Sequence, residues 1–155
     1  MASVFSDHGE EFVQDLVINS GKTFQIGLYA DVDGPDGGTI GTTNDITDSS
    51  DIADITTEPS GGSYARQSDT ASGFTASLDG SSNVTISGTT QTFDVSDSPE
   101  EVNAYFVIVP YTSNLVSSDG SETDHLMATG YLDQKYDLSQ FDTTVDLDPA
   151  ELTLN

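Results

Sequence analysis

The chain has 155 residues, of which 27 are acidic and only three are basic, so its formal net charge at pH 7 is −24. This charge argues against binding to a nucleic-acid backbone, which needs clustered Lys and Arg, and the absence of cysteine excludes disulfides and thiolate metal sites. No apolar run of 18 residues is present to span a membrane, and the length suits one domain with its own core.

The acidic composition predicts a protein adapted to brine. A compact body with this charge repels itself, but the screening length falls from about 8 Å in physiological salt to about 3 Å at 1 M, so molar salt removes most of the repulsion. An acidic protein from ordinary conditions or a disordered acidic tail is the alternative. Six tyrosines and seven phenylalanines favour a folded chain, and we expect a halophilic origin.

The first predicted element is a short helix over about residues 7–19. Ser6 or Asp7 can cap it, and acidic residues fill its first turn. The N-terminal residues MASVFSDHGEEF have neither the basic nor the apolar region of a secretory signal, so we expect synthesis in the cytoplasm without signal-directed export. Apolar residues recur at helical spacing: Phe12, Val13, Leu16 and Val17.

The stretch KTFQIGLYADV alternates apolar and polar residues, which predicts a strand with one buried face. It leads into a long polar region, residues 31–63, which we call the acidic segment. A structureless segment of this length is unusual in a compact domain and is often functional. The spacing of Ile46, Ile52 and Ile55 predicts that it lies pinned along the protein, with one helical turn in SSDIADI. We expect this segment to contact a neighbouring subunit.

From Ser63 onward the pattern predicts strands throughout. YARQSDTASGFTASLDG predicts one bent strand or two short ones, NVTIS and TQTFDVS predict strands joined by a tight turn, and EVNAYFVIVPY predicts a central strand. Further short strands are predicted in HLMATGYLD, KYDLS and TTVDLDPAELTLN. About eight strands, one helix and no βαβ alternation predict a single mainly β domain over 1–155, an antiparallel β-sandwich or barrel.

The stretch DVDGPDGG invites comparison with an EF-hand calcium loop. Asp31 and Asp33 fit its first and third positions, but Pro35, Asp36 and Thr42 stand where an acid, a glycine and a glutamate are required. A looser site for a hard cation (Mg, Ca, Na or K), built from Asp31, Asp33 and Asp36, is one interpretation. A solvated turn is the other. No other cofactor is predicted.

Catalytic and modification motifs are sparse. His8 and His125 match no metal-ligand spacing, and the sequence has no Gly-x-Ser-x-Gly elbow and no phosphate-binding glycine loop. Carboxylates are so numerous that a pair of them identifies no glycosidase. We therefore expect no catalytic residues and no enzymatic activity. Asn83 begins an N-glycosylation sequon, and the pattern leaves its use open.

The single arginine, Arg66, follows the acidic segment in TTEPSGGSYARQ. Glu58 precedes Pro59 and is predicted to be extended, while Tyr64 is predicted to enter a strand that places it on the same face as Arg66. A guanidinium binds a carboxylate through two parallel hydrogen bonds. We predict that Arg66 clamps Glu58 or a loop aspartate, packs against Tyr64 and anchors the acidic segment where it rejoins the sheet. An exposed arginine is the alternative.

Four stretches resemble small virion proteins of tailed viruses: VFSDHGEEFVQDLV, FQIGLYAD, DITTEPSGGSYARQS and MATGYLDQKYDLSQFDTTVDLDPAELTL. Such proteins often begin with a short helix around a Gly-Glu and a later Leu, continue into a Leu-Tyr strand and carry a Tyr-Ala-Arg segment. With the acidic composition, the resemblance implies a structural protein of a haloarchaeal tailed virus. The matching positions are Gly9, Glu10, Leu16, Leu28, Tyr29, Tyr64, Ala65 and Arg66.

The resemblance implies a virion protein that is made in the host cytoplasm and contacts copies of itself and other virion proteins, as a homo-oligomer. Decoration or reinforcement of the capsid is the first interpretation, and a tail or baseplate component is the second. A halophilic cell-surface or carbohydrate-binding β-sandwich is the alternative from another class, although the chain has no tryptophan for sugar stacking. Neither nucleic acid nor membrane is expected as a partner.

Overall fold

A computed structural model describes residues 23–47, 50–70, 75–78, 84–87, 90–111, 123–140, 144–147 and 152–154. The predicted helix over about 7–19, His8 and the sequon at Asn83 lie outside these residues. The strands of the described part are β1 (Thr23–Tyr29), β2 (Gln67–Thr70), β3 (Thr75–Leu78), β4 (Val84–Ser87), β5 (Gln91–Asp94), β6 (Glu101–Tyr111), β7 (Thr123–Asp137), β8 (Thr144–Leu147) and β9 (Leu152–Leu154).

The strands form three antiparallel sheets in the orders β2-β1-β6-β7, β3-β4-β9 and β5-β8. The prediction of a mainly β, antiparallel fold is therefore confirmed. A sandwich or barrel of about eight strands is not confirmed, because the four-stranded sheet is not closed. Helical structure in the described part is limited to three single 3-10 turns, Gly37–Thr39, Ile52–Asp54 and Leu138–Gln140. None of the described helices is long and apolar enough to cross a membrane.

Strand pairing agrees with the sequence pattern at β6 and departs from it elsewhere. As expected, β6 lies inside the four-stranded sheet. The stretch after Ser63 gives two strands, β2 and β3, which belong to different sheets. The strands β4 and β5, which the sequence predicted to be joined by a tight turn, also belong to different sheets. The stretches HLMATGYLD and KYDLS form one strand, β7, because both pair with β6, across two register shifts.

The two faces of the four-stranded sheet are covered by different parts of the chain. The sequence predicted one buried face for β1, but every residue from Ile26 to Tyr29 is buried, so both faces are covered. The first face packs against β5 in a core formed by Phe24, Ile26, Leu28, Phe93, Val95, Val102, Tyr105, Val107, Leu132 and Leu138. The second face carries Tyr29, Ala104, Phe106 and Ile108, and is covered by Ile46, Ile52 and Ile55 of the acidic segment.

Two aromatic rings lie over glycines of neighbouring strands. Phe106 pairs with Gly27, and its ring fills the space that a Cβ on Gly27 would take. Tyr105 pairs with Gly130 and covers it in the same way. Because Tyr105 and Phe106 are consecutive in β6, their rings lie on opposite faces of the sheet.

Candidate functional site

Arg66 and Glu58 form a bidentate ion pair at the end of the acidic segment. The guanidinium donates from Nε to Glu58 Oε1 at 2.8 Å and from Nη2 to Oε2 at 2.7 Å, and the two side chains are 29% and 20% exposed. Its carbon lies 5.1 Å from the ring centroid of Phe106, and Nη1 is 3.8 Å from Asp124 Oδ2. One side chain therefore links the acidic segment to β6 and β7.

Tyr64 is the second partner of Glu58. Its hydroxyl donates to Glu58 Oε1 at 3.2 Å and accepts a hydrogen bond from Leu28 N at 2.8 Å, while its ring stacks on Phe93 at 6.0 Å between centroids. Burial raises the pKa of Tyr64 far above its ordinary value, and the charge of Glu58 adds to the rise. The hydroxyl is therefore protonated at ordinary pH and can serve as both donor and acceptor.

The structure brings Arg66, Glu58 and Tyr64 together, but not in the arrangement that alternation predicted. Residues 64–66 precede β2, which begins at Gln67, so Tyr64 and Arg66 do not share a strand face. Tyr64 packs against the first core, whereas Arg66 lies over Phe106 of the second core. The two side chains reach Glu58 from opposite sides of the sheet edge, because the chain has not yet entered the regular pleat.

The edge of β1 is extended by two side chains, one from the acidic segment and one from the residues just after it. β2 pairs with β1 only as far as Ile26. Beyond it, Tyr64 binds the backbone of Leu28, and Thr57 Oγ1 both accepts from Ala30 N at 3.0 Å and donates to Ala30 O at 2.8 Å. These hydrogen bonds take the place of strand pairing at Leu28 N and at both backbone groups of Ala30.

Asn44, which the sequence analysis did not single out, ties the acidic segment to itself. Its Oδ1 accepts from the backbone nitrogens of Thr56 and Thr57 at 3.1 Å each, and Nδ2 donates to Asp54 O at 2.7 Å. Its backbone forms a parallel bridge with Asp31. Through its side chain and its backbone, one residue thus connects the beginning of the segment to residues 54–57.

The pinning of the acidic segment by isoleucines is confirmed. Ile55 is buried in the second core, and Ile46 and Ile52 pack against it. The predicted helical turn is present as the 3-10 turn Ile52–Asp54, in which Asp51 and Asp54 cap each other's backbone nitrogens. The segment is therefore a folded covering of the sheet, and Asp45, Asp51 and Asp54 on it are exposed.

The turn DVDGPDGG is organised around a buried amide of β6. Asn103 is fully buried, and its Oδ1 accepts from Asp31 N at 2.7 Å while Nδ2 donates to Asp31 O and Pro35 O at 2.9 and 3.0 Å. Gly34 lies against this amide, where a Cβ would collide with it. The sequence carried one signal, a single amide inside its most apolar run, because a buried amide needs partners.

The three aspartates predicted to hold a cation do not form a cluster. Asp31 is 1% exposed and accepts a hydrogen bond from Asp33 N through Oδ1 at 2.9 Å, whereas Asp33 and Asp36 are exposed. In the described part of the chain, no three acidic or histidine side chains are grouped so as to hold a metal ion. The backbone bonds to Asn103 draw Asp31 inward, away from the other two.

A polar cleft of about 360 Å³ adjoins the Arg66–Glu58 pair. Glu58, Glu100 and Glu101 line it together with hydroxyl side chains. Glu100 Oε1 accepts from the backbone nitrogens of residues 60 and 61 at 3.1 Å each, and Lys135 Nζ lies 2.6 Å from Glu101 Oε1. The hydroxyl lining comes from Thr42, Thr56, Thr57 and Ser60.

The remaining candidate, His125, lies in β7 opposite Val109. No family model, curated protein or solved structure matches this chain. The functional interpretation therefore depends on the geometry above and on the composition.

Proposed function

We propose that this chain is a structural protein of a virus particle from a halophilic host, and specifically a capsid decoration or reinforcing protein of a tailed virus. The observation that carries the proposal is the distribution of charge. Arg66 and Lys135, the basic residues of the described part, are both engaged with glutamates. Apart from the buried Asp31, the described aspartates of the acidic segment are exposed: Asp33, Asp36, Asp45, Asp51 and Asp54.

This arrangement suits a building block. The acidic segment is fixed on the sheet by buried isoleucines and by the amides of Asn44 and Asn103, so it presents a negatively charged surface of defined shape. Copies of such a surface repel one another in dilute buffer and approach closely once molar salt shortens the screening length to about 3 Å. Assembly in brine, with cations at the contacts, is the mechanism we propose.

The proposal includes a finer description of the fold: one β-sandwich domain over 1–155. Its support is that Phe93 and Val95 at β5 share a core with Phe24 and Ile26 of β1 and with Val107 of β6. Two sheets packed face to face through such residues form the core of a sandwich.

The test is the salt dependence of assembly. Particles containing this protein, dialysed from molar NaCl into dilute buffer, are expected to release it, and sedimentation followed by mass spectrometry measures the loss. A parallel dialysis into dilute buffer with millimolar Mg²⁺ reports whether divalent ions at the contacts replace screening. Retention of the subunit in dilute buffer free of divalent ions contradicts the proposal.

A tail or baseplate position is the alternative within the same class, and density for the chain in an image of the intact particle decides between head and tail. A carbohydrate-binding surface module is the alternative from another class. The polar cleft beside Glu58 favours it, because hydroxyl and carboxylate groups can bind sugar hydroxyls. A clear hit on a glycan array in molar salt supports that module and counts against a purely structural role.

A further inference from the structure

Asp31 is the single acidic side chain that is fully buried in the described part of the chain. Its Oδ1 accepts from Asp33 N at 2.9 Å, but its Oδ2 is buried and has no hydrogen-bond partner there. A carboxylate removed from water without full hydrogen bonding or a countercharge is strongly unfavourable. The fold therefore contains a negative charge that needs a partner.

The described residues supply no countercharge. Arg66 and Lys135 form their ion pairs with Glu58 and Glu101. The Tyr29 hydroxyl faces this carboxylate: burial raises the pKa of Tyr29, and the charge of Asp31 and a hydrogen bond to Asp31 raise it further.

Further carboxylates surround the same place. Burial raises the pKa of Tyr131, and the charges of Asp31, Asp33 and Asp45 raise it further. The three carboxylates therefore act on one hydroxyl at the edge of the sheet, and the surroundings of Asp31 are negative.

We propose that Asp31 Oδ2 binds an alkali cation, Na⁺ or K⁺, with the Tyr29 hydroxyl beside it. The buried, unpartnered oxygen and the neighbouring negative charges both favour a cation there. An alkali ion fits better than a divalent one, because calcium sites collect six to eight oxygens and usually several carboxylates, whereas Asp31 alone among these acids is buried. A weak site of this kind fills in molar salt by mass action.

The inference is independent of the proposed function, since it concerns only the folded chain. Thermal unfolding is measured in equal molar concentrations of NaCl, KCl and tetramethylammonium chloride, because the large organic cation screens charge but does not fit a buried site. At a cation concentration about ten times the Kd, binding raises Tm by about 3–6 °C. We expect that rise in NaCl or KCl, relative to the organic salt.

Asp31→Asn tests the residue, because the amide oxygen can still accept from Asp33 N. We expect this variant to lose the cation-specific rise in Tm. In the organic salt it should be at least as stable as the wild type, because the substitution removes the uncompensated buried charge. Asp36→Asn, an exposed aspartate of the same turn, is the matched control and is expected to keep the full rise.

Equal Tm values of the wild type in the three chlorides overturn the proposal. So does an Asp31→Asn variant that retains the rise. A large stabilisation by micromolar Ca²⁺ in the organic salt overturns the choice of an alkali ion. If Asp31→Asn does not fold, thallium NMR of the wild type replaces it: Tl⁺ is expected to bind and to be displaced by K⁺, and no binding overturns the proposal.

Discussion

The two faces of the four-stranded sheet are covered in opposite ways. On the first face, Phe93 and Val95 bring a second layer of apolar residues against β1 and β6. On the second face, the covering is the acidic segment, in which Ile55 is buried and Ile46 and Ile52 are partly buried. Both coverings bury the sheet, although one has the composition of a core and the other that of a solvated loop.

The difference shows how little apolar surface a strongly acidic segment needs in order to fold. Two buried asparagines supply the further contacts. Asn44 bonds to three parts of the segment, and Asn103 bonds to the backbone of its first turn. Because amides bond to backbone rather than to charged side chains, the aspartates stay free to face the solvent. An acidic surface and a fixed loop are therefore compatible in one segment.

The largest expected effect comes from removing the deepest apolar contact of the second covering. Ile55→Ala is expected to lower the free energy of unfolding by about 2–5 kcal/mol, as for other buried isoleucines, measured by denaturant unfolding in molar salt. Ile52→Ala, at a partly buried position, is the matched control and is expected to cost less. A loss below about 0.5 kcal/mol for Ile55→Ala, typical of surface positions, would mean that the second covering contributes little to the fold.

The sequence predicted parts of this comparison well. Period-two alternation located β1, the most apolar run located β6, and isoleucine spacing located the contacts of the acidic segment, because all three signals are local. The prediction that Tyr64 and Arg66 share a strand face was wrong, because β2 begins only at Gln67.

Long-range features were beyond a local pattern. The inward turn of Asp31 depends on Asn103, 72 residues away, and no spacing encodes that pair. The pairings of β5 with β8 and of β4 with β9 are equally remote. A strand edge or a buried charge becomes visible only when such pairings are known.

A smaller effect is expected at the Arg66–Glu58 ion pair, which lies between the two coverings of the sheet. Arg66→Lys keeps the charge but loses the fork that binds both oxygens of Glu58, and its stacking on Phe106 is weakened. We expect a loss of about 1–2 kcal/mol in the free energy of unfolding. Because the charge is kept, the loss is one of hydrogen bonds and packing, so most of it should persist in molar salt.

Lys135→Gln provides the control for Arg66→Lys, since Lys135 pairs with Glu101 through a single contact on the same protein. We expect a smaller loss there, and one that shrinks as salt is added. Equal losses at both positions, with equal salt dependence, would mean that the bidentate geometry of Arg66 adds nothing.

The smallest expected effect concerns the ionisation of Tyr64, whose hydroxyl donates to the same Glu58. Tyrosines of the unfolded chain ionise near pH 10, whereas burial raises the pKa of Tyr64 well above that value in the folded chain. The folded chain therefore keeps a proton that the unfolded chain loses, so its contribution to stability is full below about pH 10 and declines as pH rises, by about 1.4 kcal/mol per pH unit.

Tyr64→Phe should remove about one proton from this alkaline slope, measured by denaturant unfolding at several pH values above about pH 10 in molar salt. Below that pH the variant should be less stable by a constant amount, because Leu28 N loses its acceptor. Tyr131→Phe, at a tyrosine that is 52% exposed, should change the slope less. An unchanged slope in Tyr64→Phe would mean that this hydroxyl ionises as readily in the fold as in the unfolded chain, and that the edge of β1 is open to water where the two coverings meet.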